Sequence, residues 1–140
     1  WAFEISEPAV KRILEKLNPS FDYEILSFCK KDSLEITEED RNNLKAFCEN
    51  LETKKIIITH GTDTMIETAQ VLSNIQDKAI ILTGAMRPER FANSDAPINI
   101  GMAIGAISVL NKGIFIAMHG QVLKWNEVKR DLKSGQFIST

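Results

Sequence analysis

The sequence lacks the features that mark several classes of protein. Its 140 residues contain two cysteines, Cys29 and Cys48, which are too few for the disulfide framework of a small secreted domain. No apolar run approaches the roughly 20 residues of a membrane-spanning helix, and the acidic residues that follow Trp1 do not fit a signal peptide. With 17 basic against 19 acidic side chains, no positive excess favours nucleic acid or an anionic membrane. We therefore expect a cytoplasmic protein of one domain that binds neither.

What the sequence does contain is typical of a globular α/β domain. Three apolar runs, Ile56–Ile58, Ala79–Leu82 and Ile114–Ala117, show no alternation and therefore predict parallel strands covered on both faces. Helix-length segments lie between them, over residues 63–73 and 97–110. This order predicts a doubly wound, mostly parallel sheet with helices on both faces.

The first half of the chain predicts two helices and one more strand. Residues 7–17 have apolar side chains at helical spacing behind Ser6, a candidate N-cap. A second helix is predicted to begin at Thr37, because carboxylates follow it in the first turn. Between the two helices, residues 21–29 alternate and predict a strand.

Polar segments follow the predicted strands, at the sheet edge where parallel α/β proteins bind ligands. The sharpest of them contains Gly61, Thr62 and Asp63, which follow a buried strand and open a helix. The glycine allows a ligand to approach the backbone, and the free N–H groups of a helix start favour an anion. Thr62 or Asp63 can equally be a helix cap.

Other polar residues near the strand ends have competing interpretations. Ser33 is a ligand donor or a turn serine, and Arg87 holds an acidic group or forms a structural ion pair. Asp95 is expected to be a helix cap or an internal hydrogen-bond acceptor. The histidines and cysteines lack metal-ligand spacing, so we expect no metal and no cofactor. We expect His60 to be an orienting hydrogen-bonding residue beside Thr62.

At Ile58–Ala69 the sequence resembles, almost residue for residue, a signature of the bacterial-type L-asparaginase family. Further segments that resemble this family lie at residues 31–37, 82–88, 94–99, 128–131 and 135–137. The last two are similar to the ending of short, single-domain asparaginase-like proteins. The resemblance implies that residues 1–140 form one asparaginase N-terminal-type domain, without the C-terminal domain of longer members.

The resemblance also implies an activity and a set of site residues. The activity is that of an amidohydrolase that converts L-asparagine, or a related side-chain amide, to aspartate and ammonia through threonine-based acyl transfer. Thr62, Asp63 and Arg130 are the implied catalytic residues, and Arg130 stands at the family's lysine position with Lys129 beside it. The implied substrate-binding residues are Ser33, Gly61, Thr62, Asp63 and Ala85. A small amino-acid substrate, no cofactor and a homo-oligomer are implied as well.

Two departures from the family leave alternatives open. Nothing in the sequence matches the family's Thr-Gly-Gly-Thr-Ile motif, so its first strand and first catalytic threonine have no counterpart. An arginine such as Arg130 stays charged and cannot accept a proton as a lysine can. One alternative is therefore a catalytically impaired domain that senses aspartate or asparagine. The other is a structural or regulatory domain that depends on a partner chain to supply the missing strand.

Overall fold

A computed structural model describes residues 7–87 and 93–140 of the chain. Within these stretches two sheets form, one of four strands and one of two. A short 3₁₀ turn covers Ser33–Glu35. The helices and strands are α1 Glu7–Leu17, α2 Glu38–Asn50, β1 Lys55–Thr59, α3 Met65–Leu72, β2 Ala79–Thr83, α4 Ala96–Ile107, β3 Gly113–Met118, β4 Gln121–Lys124, β5 Val128–Arg130 and β6 Phe137–Ser139.

The larger sheet has the order β1-β2-β3-β4, and its first three strands are parallel. Ile58 pairs with Leu82, and Leu82 in turn pairs with Ile116. Strand β4 is antiparallel to β3 across a tight turn, while β5 and β6 form a separate antiparallel pair. The predicted, mostly parallel sheet is therefore confirmed, and the carboxyl ends of β1, β2 and β3 meet at one edge.

Helices cover both faces of this sheet. Because neighbouring strand residues point to opposite faces, Ile80 and Leu82 pack on the side of α3, whereas Ile81 packs on the side of α4. All five side chains of β2 are buried, as the apolar run predicts. Helix α2 packs on α3, and α1 packs on α4 through Ala9 and Ile100. The doubly wound arrangement predicted from the sequence is confirmed.

A capping box begins α2, as the carboxylates after Thr37 predict. The Thr37 hydroxyl accepts a hydrogen bond from the Asp40 N–H at 3.1 Å, and the Asp40 carboxylate accepts one from the Thr37 N–H at 2.9 Å. These two bonds satisfy backbone donors that a helix start otherwise leaves free. Ser6, the predicted cap of α1, lies outside the described residues, as does Pro88.

The strand predicted over residues 21–29 is wrong, because this segment has no regular secondary structure. Its alternating side chains are not buried: Phe21 is 49% exposed, Tyr23 50% and Leu26 47%. Phe28 packs against Phe47 of α2, with 5.3 Å between the ring centroids. A strand also needs a neighbour for its backbone N–H and C=O groups, and alternation within one segment cannot supply that neighbour.

None of the helices in the described residues is long and apolar enough to cross a membrane.

Candidate functional site

The turn between β1 and α3, residues 60–64, lies at the carboxyl edge of the sheet, and we call it the Thr62 turn. Gly61 and Thr62 are buried, whereas Asp63 is exposed. The N-cap of α3 is Thr64, so the interpretation of Thr62 or Asp63 as its cap is wrong. Within residues 7–87 and 93–140, neither the Thr62 hydroxyl nor the Asp63 carboxylate has a hydrogen-bond or ion-pair partner. Both groups are therefore available to a ligand.

On its inner side, the Thr62 turn is held by hydrogen bonds of His60. The ring Nδ1 lies 2.6 Å from the Gly61 carbonyl oxygen, and Nε2 lies 2.8 Å from Thr68 Oγ1. Arg41 Nε donates to the same Thr68 oxygen at 2.9 Å. Burial lowers the pKa of His60 below its ordinary 6.5, the bond to the Gly61 carbonyl opposes this shift, and the charge of Arg41 adds to it. The hydrogen bonding predicted for His60 beside Thr62 is confirmed, with Gly61 and Thr68 as its partners, and its orienting role stays a prediction.

On its outer side, the same turn is held by Arg130. One Nη of this arginine donates to the Thr62 carbonyl oxygen at 2.8 Å, and its Nε donates to the Gly135 carbonyl oxygen at 2.7 Å. The guanidinium also lies over the Phe137 ring, 4.7 Å from the centroid. Arg130 thus contacts the main chain of Thr62. Lys129 is exposed, since it precedes Arg130 in β5 and points to the opposite side.

His119 connects the β5–β6 pair to the end of β3. Its Nδ1 accepts a hydrogen bond from the Phe137 N–H at 3.0 Å, and the two rings stack with centroids 5.8 Å apart. The residue has a left-handed φ of 53°, which turns the chain back into β4. Burial lowers the pKa of His119, the charge of Arg130 lowers it further, and Asp95 opposes both. His119 therefore helps to place the strand that carries Arg130.

The loop that follows β2 packs against the backbone of the Thr62 turn. The His60 N–H donates to the Thr83 carbonyl oxygen at 2.9 Å. A Cβ added to Gly84 would lie 2.4 Å from the His60 carbonyl oxygen, so only glycine allows this approach. The next residue, Ala85, is 2% exposed. Its side chain packs with Ala9, Ala96 and Ile100, while the preceding Gly84 approaches the Thr62 turn.

Asp95 organises this loop as a hydrogen-bond acceptor. Its carboxylate accepts from the Met86 and Arg87 N–H groups, each at 3.0 Å, and from the Asn99 amide at 2.9 Å. Asn99 also donates to the Gly84 carbonyl oxygen at 2.8 Å. The prediction of an internal acceptor is confirmed for Asp95. Arg87 is exposed and makes no ion pair with the described residues, and both interpretations of Arg87 stay predictions.

Ser33 reaches the site from the 3₁₀ turn before α2. The Thr64 hydroxyl donates to the Ser33 carbonyl oxygen at 2.8 Å, which joins this turn to the Thr62 turn. Ser33 is fully buried, and its own Oγ has no hydrogen-bond partner among the described residues. An unpartnered buried hydroxyl is unfavourable and calls for an explanation, of which a polar ligand is one.

The structure therefore gathers the sequence-predicted site residues at one edge of the sheet, and their roles stay predictions. Sequence reasoning missed two residues there, Arg41 and Thr68. Both were detectable as polar residues on apolar helical faces. Arg41 shares the face of Leu44 and Cys48, and Thr68 lies three residues after the buried Met65. No cluster of histidine, cysteine and carboxylate side chains in the described part of the chain could hold a metal ion.

Comparisons with known proteins show which family the chain is similar to. A profile of the asparaginase N-terminal domain matches residues 4–135. A glutaminase-asparaginase of Acinetobacter glutaminasificans is 37% identical over 82 residues, which are 55% of this chain and 25% of that protein. One component of a glutamyl-tRNA(Gln) amidotransferase from Methanococcus vannielii is 45% identical over 69 residues, 48% of this chain and 16% of that one.

The fold is similar to that of a solved structure. A probable cytoplasmic L-asparaginase from Campylobacter jejuni superposes with a TM-score of 0.82 at 27% identity, over 93% of this chain and 46% of that one. The chain therefore spans less than half the length of the relatives it matches. From the profile match, the sheet order and the Thr62 turn together, the chain belongs to the asparaginase family, in which it corresponds to the N-terminal domain.

Proposed function

We propose that the chain is an amidohydrolase of the L-asparaginase class, which hydrolyses L-asparagine or a related side-chain amide to aspartate and ammonia. The observation that carries this proposal is the Thr62 turn, where a hydroxyl and a carboxylate on adjacent residues have no partner among the described residues. The relatives named as asparaginases and glutaminase-asparaginases support the same class.

The proposed chemistry is acyl transfer from the amide carbon. The Thr62 oxygen attacks this carbon, the C–N bond breaks, and ammonia leaves with the proton that the hydroxyl has lost. Water then cleaves the ester, which releases aspartate and returns a proton to Thr62. In a variant of this scheme, Thr62 orients the water that attacks the amide carbon directly. The N–H groups at the start of α3 favour the negative charge that develops on the amide oxygen.

The amino-acid end of the substrate is proposed to lie between Asp63 and Ser33. The exposed Asp63 carboxylate pairs with the substrate ammonium, and the free Ser33 hydroxyl donates to the substrate carboxylate. Gly61 and Ala85 are the other residues proposed to contact the substrate. Because Ser33 is fully enclosed, this binding requires its 3₁₀ turn to shift.

Measurement of ammonia release tests this proposal. Wild-type protein is expected to release ammonia from asparagine or glutamine, and Thr62→Ala to lower kcat by at least about a hundredfold. Thr53→Ala is the matched control, since Thr53 is an exposed threonine whose hydroxyl, among the described residues, bonds only to the main chain of Lys55. Absence of turnover on both amides, or an unimpaired Thr62→Ala protein, refutes the assignment.

A second candidate function, amino-acid binding without turnover, is favoured by one observation. Arg130 stands at the family's lysine position and donates to the Thr62 carbonyl oxygen, but it cannot take a proton from the nucleophile. Calorimetry with aspartate and asparagine separates the two functions, because this one requires binding heat without ammonia release. If arginine is what limits catalysis, Arg130→Lys raises kcat. Failure to bind either amino acid refutes the sensor function.

We further propose a cytoplasmic homo-oligomer. The Campylobacter relative is described as a cytoplasmic asparaginase, and the Methanococcus relative as one component of an amidotransferase of several chains, so assembly has precedent among the relatives. Size-exclusion chromatography with light scattering tests the oligomer. A well-folded monomer at micromolar concentration contradicts it, and also contradicts dependence on a partner chain.

A further inference from the structure

Arg41 is a buried charged residue that the proposed chemistry does not use. It is 6% exposed and lies on the face of α2 that also carries Leu44 and Cys48. Its Nε donates to Thr68 Oγ1 at 2.9 Å, and one Nη donates to the Glu38 carboxylate at 2.9 Å. Because the Glu38 side chain is 73% exposed, this ion pair does little to offset the burial of the guanidinium. The orientation of the Arg41 guanidinium therefore needs another explanation.

The hydrogen bonds around Thr68 fix where each proton lies. Arginine only donates, so Thr68 Oγ1 accepts from Arg41 and its own hydroxyl proton is directed elsewhere. The Gly61 carbonyl only accepts, so His60 Nδ1 carries a proton and donates to it at 2.6 Å. In the neutral ring Nε2 is then bare, and it accepts the Thr68 hydroxyl proton at 2.8 Å. This series of hydrogen bonds runs from Arg41 through Thr68 and His60 to the Gly61 carbonyl, and every donor in it meets an acceptor.

We propose that Arg41 and Thr68 are positioning residues that fix His60 as its Nδ1–H tautomer and thereby hold the Gly61 carbonyl and the Thr62 main chain in place. The effect on catalysis rests on the proposed function, whereas the tautomer does not. Protonation of His60 makes Nε2 a donor. The Thr68 oxygen then accepts from both His60 and Arg41, and the Thr68 hydroxyl proton loses its acceptor. Burial and the nearby charge of Arg41 lower the pKa of His60, whereas the bond to the Gly61 carbonyl and the charge of Glu67 oppose them. The net shift is downward from 6.5, so the ring is neutral at pH 7.5.

His119 provides an internal reference, because the chain contains only two histidines. Its Nδ1 accepts from the Phe137 N–H at 3.0 Å, so the proton of the neutral ring lies on Nε2. The two histidines are therefore expected to have opposite tautomers. Nitrogen-15 NMR of the imidazole rings distinguishes a protonated from a bare ring nitrogen and needs no assignment beyond two residues.

The first test is this spectrum at pH 7.5, on the wild-type chain and on Arg41→Met. In the wild type we expect a proton on Nδ1 of His60 and on Nε2 of His119. In Arg41→Met, loss of the charge and release of the Thr68 oxygen as an acceptor are expected to raise the titration midpoint of His60, with that of His119 unchanged. A proton on Nε2 of His60 in the wild type, or an unmoved His60 midpoint in the variant, overturns the proposal.

The second test uses a matched pair at Thr68 and holds if Arg41→Met does not fold. Thr68→Val removes the hydroxyl but keeps the shape, and Thr68→Ser keeps the hydroxyl. We expect Thr68→Val to lower kcat about tenfold with little change in KM, and Thr68→Ser to retain most of the activity. Equal kcat values for the pair overturn the positioning role. If the wild type releases no ammonia, the proposed function fails, and the NMR spectra alone decide the tautomer proposal.

Discussion

Two arginines stabilise the Thr62 turn, and they do so in different ways. Arg41, on the inner side, is buried and acts through Thr68 and His60, two polar groups that are themselves buried. Arg130, on the outer side, is half-buried and donates directly to the Thr62 carbonyl oxygen. The inner side is thus a buried series of hydrogen bonds among Arg41, Thr68 and His60. The outer side is the contact of Arg130 with the turn, next to solvent.

This difference predicts which side contributes more to stability and which contributes more to activity. When a buried partner is removed, the group left behind stays unpaired in a region that water does not reach. When an exposed partner is removed, water replaces much of the lost hydrogen bond. Changes on the inner side should therefore lower stability most, while changes on the outer side should act mainly on the Thr62 turn and its activity.

The largest effect is expected from Gly84→Ala, which disturbs the inner side directly. The added Cβ would lie 2.4 Å from the His60 carbonyl oxygen, so backbone must move against backbone. We expect the free energy of unfolding to fall by about 3 kcal/mol in urea denaturation, at the upper end for overpacking. Gly101→Ala is the control, because it meets no atom within 4 Å on an exposed part of α4. It should stabilise the chain by about 0.5–1 kcal/mol. A Gly84→Ala protein as stable as the wild type would show that the backbone around His60 can move without a loss of stability.

The two arginines themselves provide the most direct comparison. Arg41→Met leaves Thr68 without a buried donor, and we expect a loss of about 2 kcal/mol in the free energy of unfolding. Arg130→Met loses two bonds to carbonyl oxygens and a ring contact beside solvent, and a smaller loss of about 1 kcal/mol is expected. Urea denaturation of both variants measures the difference. The reverse order would refute the division between an inner and an outer side.

Ser33 sharpens the comparison, since it is as buried as the inner chain but its Oγ has no partner among the described residues. We expect Ser33→Ala to raise the free energy of unfolding by up to about 1 kcal/mol, and to abolish binding of the amino-acid ligand. Thr64→Val is the control, because its hydroxyl does have a partner, the Ser33 carbonyl at 2.8 Å. It should lower stability by about 1 kcal/mol. Calorimetry measures the loss of binding, and urea denaturation measures the change in stability. A destabilised Ser33→Ala protein would mean that the Ser33 hydroxyl already has a hydrogen-bond partner.

The sequence predicts the parts of the fold that depend on local pattern. Strands β1, β2 and β3 follow from uninterrupted apolar runs, and the start of α2 follows from a capping box. The strand predicted over residues 21–29 failed, because pairing depends on a neighbour that alternation does not specify. Strands β5 and β6, of three residues each, are too short to leave a periodic pattern.

The candidate site divides in the same way. The Thr62 turn was predictable, since its residues are adjacent in sequence and resemble a known signature. Arg41 and Thr68 are 27 residues apart, and nothing in one dimension says that they share a hydrogen bond. Arg130 was placed by resemblance alone, and its contact with Thr62 spans 68 residues. The sequence does not show which distant polar groups contact each other, because the packing of helices and loops determines those contacts.

The smallest expected effect concerns pH and the histidine of the outer side. Burial lowers the pKa of both His60 and His119, so below the ordinary value of 6.5 the unfolded chain binds protons more readily than the folded chain. Stability is therefore full above pH 6.5 and falls as the pH drops below it. Protonated His119 also cannot accept from the Phe137 N–H, which loosens the strand that carries Arg130. His119→Asn keeps an acceptor, tolerates the left-handed φ and does not titrate.

Urea midpoints between pH 5 and 7.5 test this prediction. The wild type should lose stability with a slope to which both histidines contribute, and His119→Asn should keep only the share of His60. Because His60 lies on the inner side, the pH dependence of stability that remains in His119→Asn measures the contribution of His60 protonation. An unchanged slope in His119→Asn would mean that the outer side does not sense pH. Loss of the whole slope would mean that His60 stays neutral throughout, as a ring fixed between the Gly61 carbonyl and the Thr68 hydroxyl would.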